Sequence, residues 1–332
     1  MAMTAPVPIV VQESSQVGGV RRTASDLAIE LGFDPEGAAR VGLVATEMAT
    51  NLVKHARDGV MVIQSAVDAP TWIELLALDR GPGIASIGQA MQDGVSTAGS
   101  SGTGLGAIRR LATRFDVYSS STGTAVYAAL APQTTPSRRG FDIGAVCVPY
   151  PGEHVCGDGV ALRNEDGRAL VLVTDGLGHG PLAAEATSRA AALFAGHDTS
   201  TPVGLMQRLH EGMRGTRGAA AALAEVDARR GVVRYCGVGN IAATILDHGA
   251  TRSLVSHHGT LGHDARRMAE FQYPWSASST LVLNSDGLLT NWSLAKYPGL
   301  AERAPSLVAA VLYRDCRRHK DDTIVVVLRG KA

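Results

Sequence analysis

Aromatic residues are scarce: Phe, Trp and Tyr make up 5% of the 332 residues. The cores must therefore be filled by Ala, Val and Leu, and a hydrophobic content of 45% is enough to build them. Cysteine is scarce too. Cys147, Cys156, Cys236 and Cys316 form no CxxC pair, which argues against a zinc cluster or a disulfide framework and fits reduced cytosolic thiols. Charge of either sign is not in excess, with 31 basic and 31 acidic residues. That removes the electrostatic case for nucleic acid or an anionic membrane surface. No run of about 18 apolar residues occurs, so no membrane span is expected. The start, MAMTAPVPIVVQESS, lacks the basic region and long apolar core of a signal peptide. The expectation is a cytoplasmic chain long enough for two domains of ordinary size.

What is present is organised around residues 169–180, ALVLVTDGLGHG. A short apolar run stopped by turn residues reads as a buried strand. It delivers Asp175 to the strand's C-terminal edge. Gly176, Gly178 and Gly180 let the backbone approach a ligand closely, and Pro181 opens an Ala-rich helix. An acid held at a strand end suits a hard cation. The alternative is an Asp in a plain strand-to-helix turn.

In the first half, Asp34–Pro35 marks a helix start, as N-cap and N1 proline. Along that helix Glu47, Asn51 and His55 are four apart and share one face, beside an apolar stripe of Leu43, Val44, Met48 and Leu52. A strand-like WIELLALD ends on Asp79, followed by Arg80, Gly81, Pro82 and Gly83. A Gly/Ser/Thr-rich stretch to Ser101 has the character of a lid. Gly102, Gly104 and Gly106 then precede a helix whose free N-terminal amides make an anion site.

TEMATNLVKHA, DRGPGI and GTGLG, in this order and spacing, resemble the nucleotide-binding motifs of the GHKL ATPases, and most closely the small serine kinases of bacterial stress switches. The likeness covers about residues 10–131 and implies an α/β sandwich that binds ATP with Mg²⁺. By it, Glu47 would be the general base, and Asn51 would bind Mg²⁺ bridging the phosphates. Asp79 would accept from the adenine amino group. Gly81 and Gly83 would shape the lid hinge, and Gly102, Gly104 and Gly106 would wrap the phosphates. His55 holds a motif position and reads as structural.

Residues 132–140 combine proline with polar and basic residues, a linker signature between domains at 1–131 and 141–332. In the second half Asp158, Asp175, Asp286 and Asp321 each stand at the edge of an apolar run. Separately each is an ordinary turn Asp; together they could form a two-metal site. No Cys or His accompanies them at ligand spacing, which favours Mg²⁺ or Mn²⁺ over zinc. GDG, TDGLGHG, NSDGLL and KDDTIVVV resemble the metal-dependent PPM-type serine/threonine phosphatases, and VCGDG, CGVGNIAA and HHGTLG point to their SpoIIE-like branch. This implies a β-sandwich flanked by helices. Asp158 and Asp175 would bridge two metals with the Gly176 carbonyl, and Asp286 and Asp321 would complete the second metal's sphere. Ile324 stands where the family's last motif usually has Thr or Ser, so Asp322 remains an alternative to Asp321.

The two resemblances imply an α+β fusion: a metal-dependent phosphoserine/phosphothreonine phosphatase joined to an ATP-dependent serine kinase-like domain. The implied partner is a STAS-domain phosphoprotein or an anti-sigma antagonist in a partner-switching pathway, with a homodimer left open. The alternative keeps the phosphatase and makes the ATP domain a sensor or partner-binding module.

Overall fold

The computed structural model describes residues 8–92, 104–132, 140–196 and 201–330. Gly102, most of the Gly/Ser/Thr-rich stretch and most of the expected linker lie outside the described residues.

The first half contains β1 (Ile9–Val10), α1 (Ser14–Glu30), α2 (Pro35–His55), β2 (Val60–Ala66), β3 (Ala69–Leu78), α3 (Ile87–Ala90), α4 (Gly104–Leu111), β4 (Arg114–Ser120) and β5 (Gly123–Leu130). The α2 start falls where the sequence places it: the Asp34 carboxylate accepts from Gly37 N at 2.7 Å, and Pro35 occupies the first turn. The strands form one antiparallel sheet in the order β1-β2-β3-β5-β4. Val41, Val44, Met48 and Leu52 of α2 join Ile63, Ile73 and Leu75 in the core on one face of that sheet. Leu43 departs from the expected stripe and is exposed. It lies one helical step off the buried row, on the polar side.

The second half contains β6 (Asp142–Val148), β7 (Asp158–Glu165), β8 (Arg168–Gly176), α5 (Pro181–Ala195), α6 (Pro202–Gly212), β9 (Ala219–Asp227), β10 (Val232–Val238), β11 (Ala242–Asp247), β12 (Ala250–Ser253), β13 (Ser256–His257), β14 (Phe271–Pro274), β15 (Thr280–Asn284), α7 (Pro305–Cys316) and β16 (Thr323–Arg329). One sheet runs β13-β10-β9-β8-β7, with β14 on β10; the other runs β12-β11-β15-β16-β6. Val171, Val173, Tyr235, Leu283 and Val326 fill the space between them. Trp275 is a packing anchor there, edge-on to Phe141. The inner strands are Val- and Ala-rich because both their faces are covered. Helices α5 and α6 cover the outer face of the first sheet.

Helix α7 covers the outer face of the second sheet, and its opposite side packs on the free face of the N-terminal sheet. One continuous core holds Trp72, Leu76 and Tyr127 from the first half with Leu307, Val311 and Val325 from the second. All of α7 but Asp315 is buried, including Arg314. Polar groups tie the same seam. Glu74 is 2% exposed and accepts from Gln64 Nε2 (3.0 Å), Tyr127 OH (3.1 Å) and Ser306 Oγ (2.9 Å). Gln64 Nε2 also donates to the Ala145 carbonyl at 2.6 Å. Among the described residues no helix is long and apolar enough to cross a membrane.

Candidate active sites

Two groups of predicted residues come together, one in each half.

In the second half, Asp158 at the start of β7 pairs directly with Asp175 near the end of β8. The turn after β15 brings Asp286 alongside, and the approach to β16 brings Asp321 and Asp322. Close backbone approach makes glycine necessary at Gly287, where a Cβ would stand 1.9 Å from the Asp322 carbonyl oxygen. Asp158 is 4% exposed, and its carboxylate accepts from Ser285 Oγ at 2.6 Å. Burial and then the charge of Asp175 raise its pKa well above the carboxylate range. Asp175 is pushed up to about 7 by burial, then by Asp286 and Asp321. Asp321 is raised by burial and by Asp286. Asn240 Nδ2 donates to Asp286 at 2.8 Å and also bonds Asp175. Asp322 is oriented differently: one carboxylate oxygen accepts from Tyr150 N at 2.8 Å, and the other is buried without a partner among the described residues.

Asp158, Asp175 and Asp321, each raised by burial and by neighbouring carboxylates, sit in a site short of positive charge. Their all-oxygen donor set suits a hard divalent cation. Among the described residues no three His, Cys, Asp or Glu side chains make a ready-made metal-holding group. A bound cation would offset the like charge of the acids.

Asn240 and Ser285 fall inside the motifs CGVGNIAA and NSDGLL, but their roles, like that of Tyr150, are not legible in sequence because each acts through a partner distant in the chain. His179 is half-exposed, bonds Glu153 through Nδ1 at 2.9 Å and stacks on Tyr150 with ring centroids 4.3 Å apart. Cys147 and Cys156, nine residues apart in sequence, meet beside Asp158 with their sulfurs at 3.4 Å. Both are free thiols.

In the first half, Glu47 and Asn51 are half-buried on one face of α2, and His55 is exposed. The first residue of α4, Gly104, faces Asn51: a Cβ there would lie 3.4 Å from Asn51 Oδ1. Gly106 is buried within the same helix. Asp79 follows β3, and its carboxylate accepts from Gly81 N at 2.6 Å and Thr124 N at 3.3 Å. Burial raises its pKa against these bonds. Gly83 has φ +81°, and a Cβ would come 2.2 Å from the Ser120 carbonyl oxygen, so the hinge position requires glycine. Arg80 donates to the Arg314 carbonyl of α7, and Arg314 Nη1 donates to the Asp79 carbonyl at 3.1 Å.

A helix-backed antiparallel sheet with this Asn, Asp and glycine set, joined to a two-sheet sandwich with a carboxylate cluster, defines an ATPase-like domain coupled to a phosphatase-type domain. The profile of the histidine kinase-like ATPase domain matches residues 10–130, and that of stage II sporulation protein E (SpoIIE) matches residues 165–331. The chain belongs to the SpoIIE family and carries an N-terminal histidine kinase-like ATPase domain. The first half is similar to the serine/threonine-protein kinase RsbT of Bacillus subtilis, 35% identical over 30% of this chain and 75% of that protein. The second half is similar to the phosphoserine phosphatase RsbX of Bacillus subtilis, 24% identical over 41% of this chain and 69% of that protein. A solved structure from work on the bacterial stressosome is 30% identical, with a TM-score of 0.53, over 57% of this chain and 99% of its own.

Proposed function

We propose that the chain is a two-headed partner-switching regulator. Residues 141–332 act as a metal-dependent phosphoserine/phosphothreonine protein phosphatase. Residues 1–131 act as an ATP-dependent serine kinase, and 132–140 link them. The substrate is a STAS-domain phosphoprotein of a stress or sigma-factor pathway. The observation that carries this reading is the convergence of Asp158, Asp175, Asp286 and Asp321 from separate strand ends onto one place.

Asp158, Asp175 and the Gly176 carbonyl would hold two Mn²⁺ or Mg²⁺ ions, with Asp286 and Asp321 on the second. Asp321 is favoured over Asp322 because it adjoins Asp286 and acts more strongly on Asp175, although each accepts one backbone N–H. The bound cations would supply the Lewis acidity that makes water nucleophilic near neutral pH and offsets phosphate charge. The protein's own residues hold the acids in place: Ser285 orients Asp158, and Asn240 spans Asp286 and Asp175.

In the first half, Asn51 would bind the Mg²⁺ of Mg·ATP, and Gly102, Gly104 and Gly106 would offer amides to the phosphates. Asp79 would accept from adenine, and Glu47 would take the proton from an attacking seryl hydroxyl. A sensor role for this half, without kinase activity, has one observation in its favour: Arg314 of the phosphatase half holds the backbone of Asp79. Incubating the whole chain with ATP or Mn²⁺ and a candidate STAS protein, phosphorylated or not, tests both heads. Hydrolysis without transfer would select the sensor; neither reaction would refute both readings.

A further inference from the structure

A groove of about 330 Å³ runs between the two halves and reaches the carboxylate cluster at Asp321. One wall is apolar and comes from the ATP-binding half: Pro8, Val10 and Val60, with Val10 half-exposed. Arg317, Arg318 and His319 also line it, and Lys320, the next residue, is exposed. These charges are not neutralised from within. Arg317 lies over the Tyr313 ring and donates to its hydroxyl, while its Nε is buried without a partner. Among the described residues no carboxylate forms an ion pair with Arg317, Arg318 or Lys320. The acids that line the groove are engaged elsewhere: Glu153 bonds His179, and Asp321 belongs to the cluster. A channel that leads to a phosphate-hydrolysing centre, lined by unpaired cations and by apolar side chains, calls for an extended anionic segment with apolar residues.

We infer that this groove docks the phosphorylated segment of a protein substrate, and that it selects segments with acidic residues beside the phosphoserine. The inference rests on the phosphatase reading and extends it. The ATP-binding half then supplies one wall of the phosphatase's substrate channel, so specificity belongs to the pair of domains.

The test uses the purified full chain with Mn²⁺ and three substrates: p-nitrophenyl phosphate, a phosphoserine decapeptide flanked by glutamates, and its lysine-flanked counterpart. The expected result is a kcat/KM about tenfold higher for the glutamate peptide, carried by KM, as charge complementarity at one or two arginines provides. Arg318→Glu should abolish or invert that preference. The variant side chain is exposed, and the Arg318 backbone bond to the Gly287 carbonyl survives the change. Val10→Asp should lower kcat/KM for the glutamate peptide relative to p-nitrophenyl phosphate, reading the wall from the other domain. Equal treatment of the two peptides, or a preference that Arg318→Glu leaves intact, overturns the docking groove while turnover of p-nitrophenyl phosphate leaves the phosphatase standing. No Mn²⁺-dependent turnover of any substrate overturns both.

Discussion

The guanidinium of Arg314 reaches 3.1 Å across the seam between the two halves to the backbone carbonyl of Asp79. The same guanidinium is held flat by two 2.8 Å bonds to Asp315, and the Arg314 carbonyl accepts from Arg80. A helix of one half thus grips the strand end that carries the expected adenine acceptor of the other. The same C-terminal end of that helix is bonded to the turn that carries Asp286, with Leu289 N donating to the Cys316 carbonyl at 2.8 Å and Arg318 N to that of Gly287 at 2.7 Å.

Arg314→Ala should destabilise the chain by about 1–3 kcal/mol, since it strips a half-buried carbonyl and a carboxylate of their donor. ATP affinity should fall with it, because Asp79 loses its backbone tether. Denaturant titration and calorimetry read the two effects. Unchanged values in both would mean the contact holds nothing in place.

Glu74 makes the seam sensitive to pH. Burial, the largest cause, raises its pKa to about 7 from 4.5, opposed by the bond from Gln64. The folded state therefore keeps a proton that the unfolded state releases. The stabilisation is complete below pH 4.5, declines as pH rises towards 7, and is gone above it, a loss on the order of 3 kcal/mol. Glu74→Gln stays neutral throughout and can donate to Gln64 Oε1, which lacks a partner. The variant should show a flatter profile of melting temperature over this window and a higher value at pH 8. A slope equal to the parent's would place the titrating group elsewhere.

Asp175→Asn is nearly isosteric and should leave the fold and ATP binding intact. Losing the carboxylate charge should cost several kcal/mol of barrier lowering, a rate drop of about a thousandfold in Mn²⁺-dependent hydrolysis. Retention of more than about a tenth of the activity, equivalent to about 1.4 kcal/mol, would remove Asp175 from the catalytic metal site.

Asn51→Ala should weaken Mg·ATP binding, whereas Glu47→Ala should spare binding and abolish phosphate transfer. Titration with Mg·ATP and a transfer assay separate the two roles. Equal Mg·ATP affinity in the parent and the Asn51 variant contradicts the assignment.

Much of this architecture is legible in the sequence where the cause is local. Asp34 and Pro35 start α2 because a cap and a pre-set φ act within one turn. Asp158 and Asp175 announce themselves as acids beside glycines at the ends of apolar runs. Contacts distant in sequence leave no such mark. Nothing in the spacing of Cys147 and Cys156 says that a strand and the following loop fold them together. The motifs around Asn240 and Ser285 mark their places, but their partners Asp286 and Asp158 appear only when the sheets meet. The role of α7 is hidden for another reason: a helix covered on both sides lacks the one-sided periodicity that marks a surface helix, and its sequence does not name its second neighbour.

A helix that serves as the inner layer of two sheets has no face left to give up. The halves are accordingly inherited as a matched pair: exchanging either for a homologue means recutting the α7 surface to fit. Their stoichiometry is one to one, and the two sheets are held apart by a single helix layer. A partner that engages one head meets the other at a fixed bearing.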